Sequence, residues 1–303
     1  MDRHAYLILA HQNYKQLSIL LELIDDSRND IYIHIDKRSV FTRVDKARLY
    51  NSVKESSIYF SKRTSVSWGG YSVVVAEINL LEAAINNGGY CYYHLLSGQD
   101  LPIKTQDYIH SFFKKHSGFE FISFCDDNWI SDMKYRVKYY WFFQEYVGRN
   151  SGIDKYCLKK LDKLGYMIQS KIKVDRLKNY SFSAGSQWFS VTDEFARYLL
   201  SNKKYICKML KATLCCDESL CQIFSSNSNF KSKIYQNGNV SSNMRLIDWS
   251  RGSPYVFRIY DYDMIIKSDC LFARKFDMSV DENVIYSIRK TLLFNKSFFS
   301  CVY

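Results

Sequence analysis

The strongest constraint on the fold is a strand–helix–strand pattern at the start of the chain. Residues 5–10 form a continuous apolar run of strand length, and residues 14–24 carry apolar side chains at helical spacing. Residues 31–35 form a second apolar run, which ends at Asp36. Such a pattern predicts a right-handed parallel unit, and therefore an α/β fold with a nucleotide-binding half.

The alternation of strands and helices continues along the chain. We predict a helix over residues 71–85, strands over 90–96, 119–124 and 187–191, and a helix that Thr192 caps. With two prolines and no flexible linker, the sequence indicates one domain over residues 1–303. The nucleotide-binding half is expected at about 1–125 and the acceptor-binding and catalytic half at about 126–303, with residues 133–146 placed as an acceptor-binding insertion.

Charge and cysteine content restrict the class of partner and the compartment. The net charge of +11 favours an anionic partner: a nucleic acid, an acidic membrane surface or a phosphorylated small substrate. The nine cysteines follow no disulfide or zinc spacing. No signal peptide and no apolar stretch of membrane-spanning length occur. We therefore expect a cytoplasmic protein, with peripheral binding to the inner face of the cell membrane as an option.

Three segments carry candidate site residues. Asp36 ends a predicted strand, and ligands of such sheets bind at the carboxyl ends of the strands. Asp217 and Glu218 open a predicted helix, where a carboxylate either complements the helix dipole or acts in catalysis. Residues 271–277 alternate apolar and basic side chains, so packing of the apolar side chains would hold Arg274 or Lys275 in a fixed position.

The sequence contains no glycine-rich phosphate loop, so a diphosphate would need a metal ion or basic side chains. Asp261 and Asp263 have the spacing of a metal-binding carboxylate pair, but they lie late in the chain, at a predicted helix start. Asp126 and Asp127 are better placed but are more simply a solvated loop.

Four motifs occur in an order and spacing that resembles the core-2/I-branching enzyme family, glycosyltransferase family 14. They are Ile-His-Ile-Asp-Lys (33–37), Trp-Gly-Gly-Tyr-Ser (68–72), His-Leu-Leu-Ser-Gly-Gln-Asp-Leu-Pro-Ile-Lys (94–104) and Leu-Phe-Ala-Arg-Lys-Phe-Asp (271–277). The resemblance implies a GT-A-like α/β fold with a mixed central sheet flanked by helices. It also implies inversion at the anomeric carbon, UDP-sugar donors and no metal or other cofactor.

The resemblance also implies roles for individual residues. Glu218 matches the catalytic base, and Lys275 matches the lysine that binds the diphosphate, with Arg251 or Arg258 as its partner. The remaining expected donor contacts are Leu9, Ala10, Asp36 and Ser97, and the expected acceptor contacts are Glu120 and Asp217.

These expectations define a reaction: GlcNAc or xylose moves from a UDP-sugar to a hydroxyl of a glycan or lipid-linked saccharide, forming a β-linkage. The chain lacks the membrane anchor, stem and disulfide framework of the animal members, which favours a bacterial enzyme of surface polysaccharide synthesis. We expect no nucleic-acid partner. The alternatives are a basic, aromatic-rich nucleic-acid-binding protein and a non-catalytic sugar-binding relative.

Overall fold

The computed structural model describes residues 2–149, 151–236 and 241–300. Its strands are β1 (His4–Ala10), β2 (Asn29–Ile35), β3 (Ser57–Phe60), β4 (Tyr92–Ser97), β5 (Asp100–Pro102), β6 (Phe121–Phe124), β7 (Gly185–Thr192), β8 (Arg245–Ile247) and β9 (Phe272–Arg274). Within the described ranges, one sheet has the strand order β3-β2-β1-β4-β7-β6, and a smaller sheet has the order β5-β9-β8.

Helices cover both faces of the large sheet. They are α1 (Tyr14–Ile24), α2 (Arg43–Tyr50), α3 (Ser72–Asn87), α4 (Gln106–Lys115), α5 (Asp127–Met133), α6 (Tyr135–Lys138), α7 (Gln144–Val147), α8 (Gly152–Lys171), α9 (Asp193–Ser201), α10 (Lys203–Leu210), α11 (Leu220–Ser226), α12 (Tyr262–Lys267) and α13 (Glu282–Ser300). Short 3-10 helices occupy Cys216–Glu218, Asn229–Lys233 and Ile259–Asp261.

Four neighbouring strands, β3, β2, β1 and β4, are parallel. Their apolar runs are buried because a hydrophobic cluster packs on each face of the sheet, and a strand covered on both faces reads as continuous apolar sequence. β7 runs antiparallel between β4 and β6. The carboxyl ends of β1, β2 and β4 therefore meet the first residues of β7 at one edge of the sheet.

The smaller sheet attaches the late part of the chain to this edge. β9 pairs antiparallel with β5, which directly follows β4, so Arg274 lies opposite Asp100. The Phe276 backbone N–H donates to the Gln99 carbonyl at 2.9 Å. Residue 275 is thereby held beside the end of β4, although it is far from that strand in sequence.

The predicted α/β class is confirmed: the molecule has a mixed central sheet flanked by helices. Because β7 lies between β4 and β6, the two predicted halves share one continuous sheet. The Thr192 side chain caps α9, as its sequence indicates. Asp217 and Glu218, however, lie in a 3-10 turn, and the helix that follows them begins only at Leu220.

The cysteines that the structure describes are free, as their irregular spacing predicts. Among the helices of the described ranges, none has the length and apolar character that crossing a bilayer requires.

Candidate active site

The structure brings four predicted donor contacts to the carboxyl edge of the sheet. Register pairs Leu9 with Ser97 and Ala10 with Ile35, the residue before Asp36. The Asp36 backbone N–H donates to the Ala10 carbonyl at 3.0 Å, and the Gly98 N–H donates to the Leu9 carbonyl at 3.0 Å. These positions follow from strand register alone, so they form a rigid floor for a ligand.

Asp36 is an ionised carboxylate held by positive and amide groups. It accepts hydrogen bonds from the Arg38 backbone N–H at 2.8 Å, from the Arg38 guanidinium at 3.1 Å and from the Val66 N–H at 3.3 Å. Burial raises the pKa of Asp36, but the hydrogen bonds and charge of Arg38 outweigh burial, so the pKa is lowered overall. A fixed acceptor of this kind suits ring N–H or ribose hydroxyl groups of a nucleoside.

Ser97 belongs to a chain of polar groups that leads to β9. Its hydroxyl donates to Asp100 at 3.0 Å, and Asp100 lies 3.2 Å from the Arg274 guanidinium. Arg274 in turn stacks 3.9 Å above the ring of Trp188 in β7. Arg274 is therefore a structural cation between the two sheets, which leaves Lys275 as the basic residue of this motif for a ligand.

Lys275 is partly buried and lies close to the carboxyl edge of the sheet, where Leu9, Ala10, Asp36 and Ser97 lie. We call this region the donor edge. Partial desolvation lowers the pKa of His11, Asp36 opposes that change, and the positive charges of Lys275 and Arg38 lower the pKa further. The backbone hydrogen bonds from Phe276 to Gln99 and from Asp36 to Ala10 hold these charges near the carboxyl end of β1, which His11 directly follows. This edge combines one carboxylate with several cations.

The structure distinguishes the two candidate partners of Lys275. Arg251 is paired with Asp248 and, at 2.7 Å, with the buried Asp261. The side chain of Arg258 is exposed, and the preceding Phe257 N–H donates to the Lys275 carbonyl at 2.9 Å. Because two carboxylates neutralise Arg251, Arg258 is the better cation for a diphosphate.

One member of each carboxylate pair considered for a metal has other partners in the structure. Both oxygens of Asp261 are occupied, one by Arg251 and the other by the Arg258 backbone N–H. Asp126 caps α5 by accepting from the Trp129 N–H at 2.9 Å. Among the residues that the structure describes, no group of three or more His, Cys, Asp and Glu side chains has the arrangement of a metal site.

A loop joins the donor edge to the turn that holds Glu218. Val66 contacts Asp36, and three residues later the Gly69 carbonyl accepts from the Cys215 N–H at 2.8 Å. Glu145 anchors this loop, because its carboxylate accepts from the Ser72 N–H and from the Ser72 hydroxyl, each at 2.8 Å. The Trp-Gly-Gly-Tyr-Ser motif is therefore the connection between the two parts of the site.

Glu218 lies beside a cation from another segment. Arg136 in α6 donates to its carboxylate at 2.8 Å, and about a third of the Glu218 side chain remains exposed. Burial raises the pKa of Glu218, while Arg136 lowers it, and the net pKa is raised. A carboxylate that is oriented, partly accessible and more basic than usual has the properties of a general base.

Two further carboxyl groups lie behind Glu218. Asp217 has one buried oxygen without a hydrogen-bond partner, and burial together with the Glu218 charge raises the pKa of Asp217 to about 7. Glu77 in α3 is fully buried and accepts from Gln187 at 2.7 Å. Burial and the charge of Asp217 raise the pKa of Glu77 well above its usual value. Asp217 is half-buried, and its direct contact with an acceptor stays a prediction.

Glu120 is separated from this site. It is fully buried and accepts from the Thr192 backbone N–H at 2.9 Å. Register pairs Thr192 with Tyr92, the first residue of β4, so Glu120 lies at the amino ends of the parallel strands, opposite Ser97. Its predicted acceptor contact is therefore not supported, because the carboxylate instead fixes the start of α9.

Arg136 and Glu77 are residues that the sequence does not single out. Arg136 lies in the segment that was placed as an acceptor-binding insertion, but no pattern connects it with a carboxylate 82 positions later. Glu77 is one of two acidic residues in a largely apolar helix, and the sequence of that helix gives no indication of its partner.

Comparison with known proteins identifies the family of this chain. The family profile described as core-2/I-branching enzyme matches residues 4–264, so the chain belongs to that family. Xylosyltransferase 2 from Rattus norvegicus is 24% identical over 308 aligned positions, which cover 93% of this chain and 33% of the relative. The chain thus spans about a third of that relative's length.

A second relative differs in the sugar that its name specifies. The β-1,3-galactosyl-O-glycosyl-glycoprotein β-1,6-N-acetylglucosaminyltransferase 3 from Ovis aries is 23% identical over 95% of this chain and 67% of the relative. Among solved structures, mouse xyloside xylosyltransferase 1 in its apo form aligns with a TM-score of 0.39 at 8% identity, covering 90% of this chain and 97% of that one.

Proposed function

We propose that this protein is an inverting glycosyltransferase that uses a UDP-sugar and needs no metal ion. The observation that carries the proposal is the joining of Asp36, Ser97 and Lys275 at one sheet edge to the Glu218 turn through residues 66–72. One loop then contacts both the proposed nucleotide site and the turn of the proposed base, and transfer to an acceptor requires donor and base to be held near each other.

In the proposed reaction, the Glu218 carboxylate takes the proton of an acceptor hydroxyl as that oxygen attacks the anomeric carbon. The bond from that carbon to the diphosphate oxygen breaks on the opposite face, and UDP leaves with the electron pair. Lys275 and Arg258 balance the negative charge that develops on the leaving group, a role that preorganised cations fill well in a desolvated site. Arg136 keeps Glu218 oriented toward the acceptor.

The donor sugar is proposed to be xylose or GlcNAc, since the names of the two relatives specify xylosyl and N-acetylglucosaminyl transfer. The acceptor is proposed to be a hydroxyl of a glycan or lipid-linked saccharide. The positive charge and aromatic content alone would also suit a nucleic-acid-binding protein. Nucleic-acid binding, however, gives no reason for the raised pKa of Glu218 in a turn that a loop connects to the donor edge.

The test is UDP release by the purified protein from UDP-xylose and UDP-GlcNAc, with and without EDTA. We expect UDP to raise the melting temperature, as a ligand of the native state does, and one UDP-sugar to be consumed at the same rate in EDTA. Loss of activity in EDTA with recovery on adding manganese would contradict metal independence. Absence of any UDP effect, together with salt-sensitive RNA binding, would favour the nucleic-acid-binding alternative.

A further inference from the structure

Helix α8 exposes large apolar side chains to solvent, whereas a helix of a globular protein usually turns such side chains toward the core. Large apolar residues that are between 48% and 80% exposed follow helical spacing along it: Ile153, Tyr156, Leu161, Leu164, Met167 and Ile168. Positions three and four residues apart lie on one side of a helix, so these six form a single outward stripe. We call it the α8 stripe.

The inward face of α8 is held by polar contacts and by Tyr166, whose ring packs against the rings of Tyr139 and Trp141. The carboxylate of Asp162 accepts from the Phe143 N–H at 3.1 Å. The amide of Gln169 accepts from the Tyr140 N–H at 2.8 Å and donates to the Tyr140 carbonyl at 2.9 Å. The orientation of the helix is thus fixed by specific hydrogen bonds, and it directs the α8 stripe toward solvent.

The charges along α8 indicate what covers the stripe. The helix carries five lysines and two aspartates, and one of those aspartates is the buried Asp162. Lys160 lies next to the stripe, with its ammonium 4.4 Å from the ring centre of Tyr156. A second copy of this chain would bring lysines against lysines, whereas an anionic surface would neutralise them.

We propose that the α8 stripe is a docking surface for an anionic lipid bilayer, with the helix lying in the plane of the interface. Helices that bind in the headgroup region of a bilayer have apolar side chains on one face and lysines beside them. The long lysine side chains reach outward to headgroup phosphates while their methylene groups stay near the apolar face.

This docking would deepen the proposed function, because it indicates the class of acceptor. That indication rests on the proposed function, whereas membrane binding itself does not. The inward face of α8 packs on residues 140–143, a few positions after Arg136, which holds Glu218. Attachment through α8 would therefore bring the part of the protein that contains the base to the membrane. A saccharide on a lipid carrier is the acceptor chemistry that this arrangement suits.

The experiment measures binding of the intact protein to vesicles of phosphatidylcholine alone and to vesicles that also contain phosphatidylglycerol. We expect binding only to the second kind, decreasing as salt rises. Replacing Leu161, Leu164 and Ile168 by Ser should weaken binding by about tenfold or more, and Lys159→Gln or Lys163→Gln by about fivefold each. Because these side chains are exposed, the variants should melt like the wild type.

A matched control replaces the exposed Val40 and Val44, near α2, by Ser, which removes apolar surface elsewhere and should leave vesicle binding unchanged. Equal binding to both vesicles, or a triple variant that binds as the wild type does, would overturn the proposal. So would a wild-type dimer that the triple variant dissociates, because the stripe would then be a contact between copies. UDP release, measured on the same samples, reports on the proposed function separately from lipid binding.

Discussion

The donor edge around Asp36 and the turn around Glu218 differ in how completely their polar groups are satisfied. Asp36 accepts four hydrogen bonds, and the groups beside it follow from the register of parallel strands. The turn contains a buried Asp217 oxygen without a partner, and the cation that contacts Glu218 comes from a short helix far away in sequence. A satisfied site binds with little rearrangement, whereas a site with raised carboxyl pKa values is suited to moving a proton.

This contrast predicts that the turn controls turnover. Glu218→Gln keeps the size of the side chain but removes the proton acceptor, so kcat should fall by about 10²- to 10⁴-fold while UDP affinity stays the same. The measurement is the initial rate of transfer together with UDP titration. Glu82→Gln, on the surface of α3, is the control that should leave both unchanged. A variant with a near-normal rate would exclude Glu218 as the base.

The next largest effect is expected at the leaving group. Lys275→Ala removes a fixed cation beside the diphosphate, and we expect a loss of about 10²-fold in kcat that manganese or magnesium does not restore. Lys267→Ala, at the exposed end of α12, is the matched control. Arg258→Ala should lower kcat clearly while the melting temperature changes little. If Arg251→Ala had the larger specific effect on rate, the assignment of the two arginines would be reversed.

At the donor edge the effect should fall on binding. Asp36→Asn removes the charge of an acceptor that suits nucleoside donors, so KM for the UDP-sugar should rise by about tenfold with kcat nearly constant. Because the pKa of Asp36 is lowered in the fold, its ionised form stabilises the protein above its unfolded pKa. That stability is lost as the pH falls through the folded pKa, and the variant should lack this contribution. A fall in kcat with unchanged KM would show that Asp36 acts in the transition state instead.

The smallest effect concerns the pH dependence of the base. Arg136 lowers the pKa of Glu218 against the effect of burial, so Arg136→Gln should raise that pKa. A base must be ionised, and the acidic limb of kcat/KM should therefore move to higher pH by roughly one to two units. The other charged or titratable groups that face Glu218 are Asp217, Cys215 and Cys125. Arg197→Gln, in an exposed pair on α9, should not move the limb.

Local sequence accounts for much of the donor edge and little of the turn. The apolar runs predict β1, β2 and β4, and their parallel arrangement puts Ala10, Asp36 and Ser97 at one edge without further information. Arg136 and Glu77 reach the base through tertiary contacts that no local pattern encodes. Glu120 shows the same limit, because it lies within the strand predicted over residues 119–124, just before the observed Phe121–Phe124, but at the opposite edge of the sheet from Ser97.

The junction between the two parts leaves almost no room for change. A side chain at Gly70 would begin 2.7 Å from a Glu145 carboxylate oxygen, and one at Gly148 would begin 2.5 Å from the Trp68 carbonyl oxygen. Gly69 also has a φ of 69°, which side chains rarely adopt. Laboratory evolution of acceptor preference should therefore accumulate replacements on the outer faces of α5 to α7. The three glycines should stay unchanged, because any side chain there would disturb the loop that connects the two parts of the site.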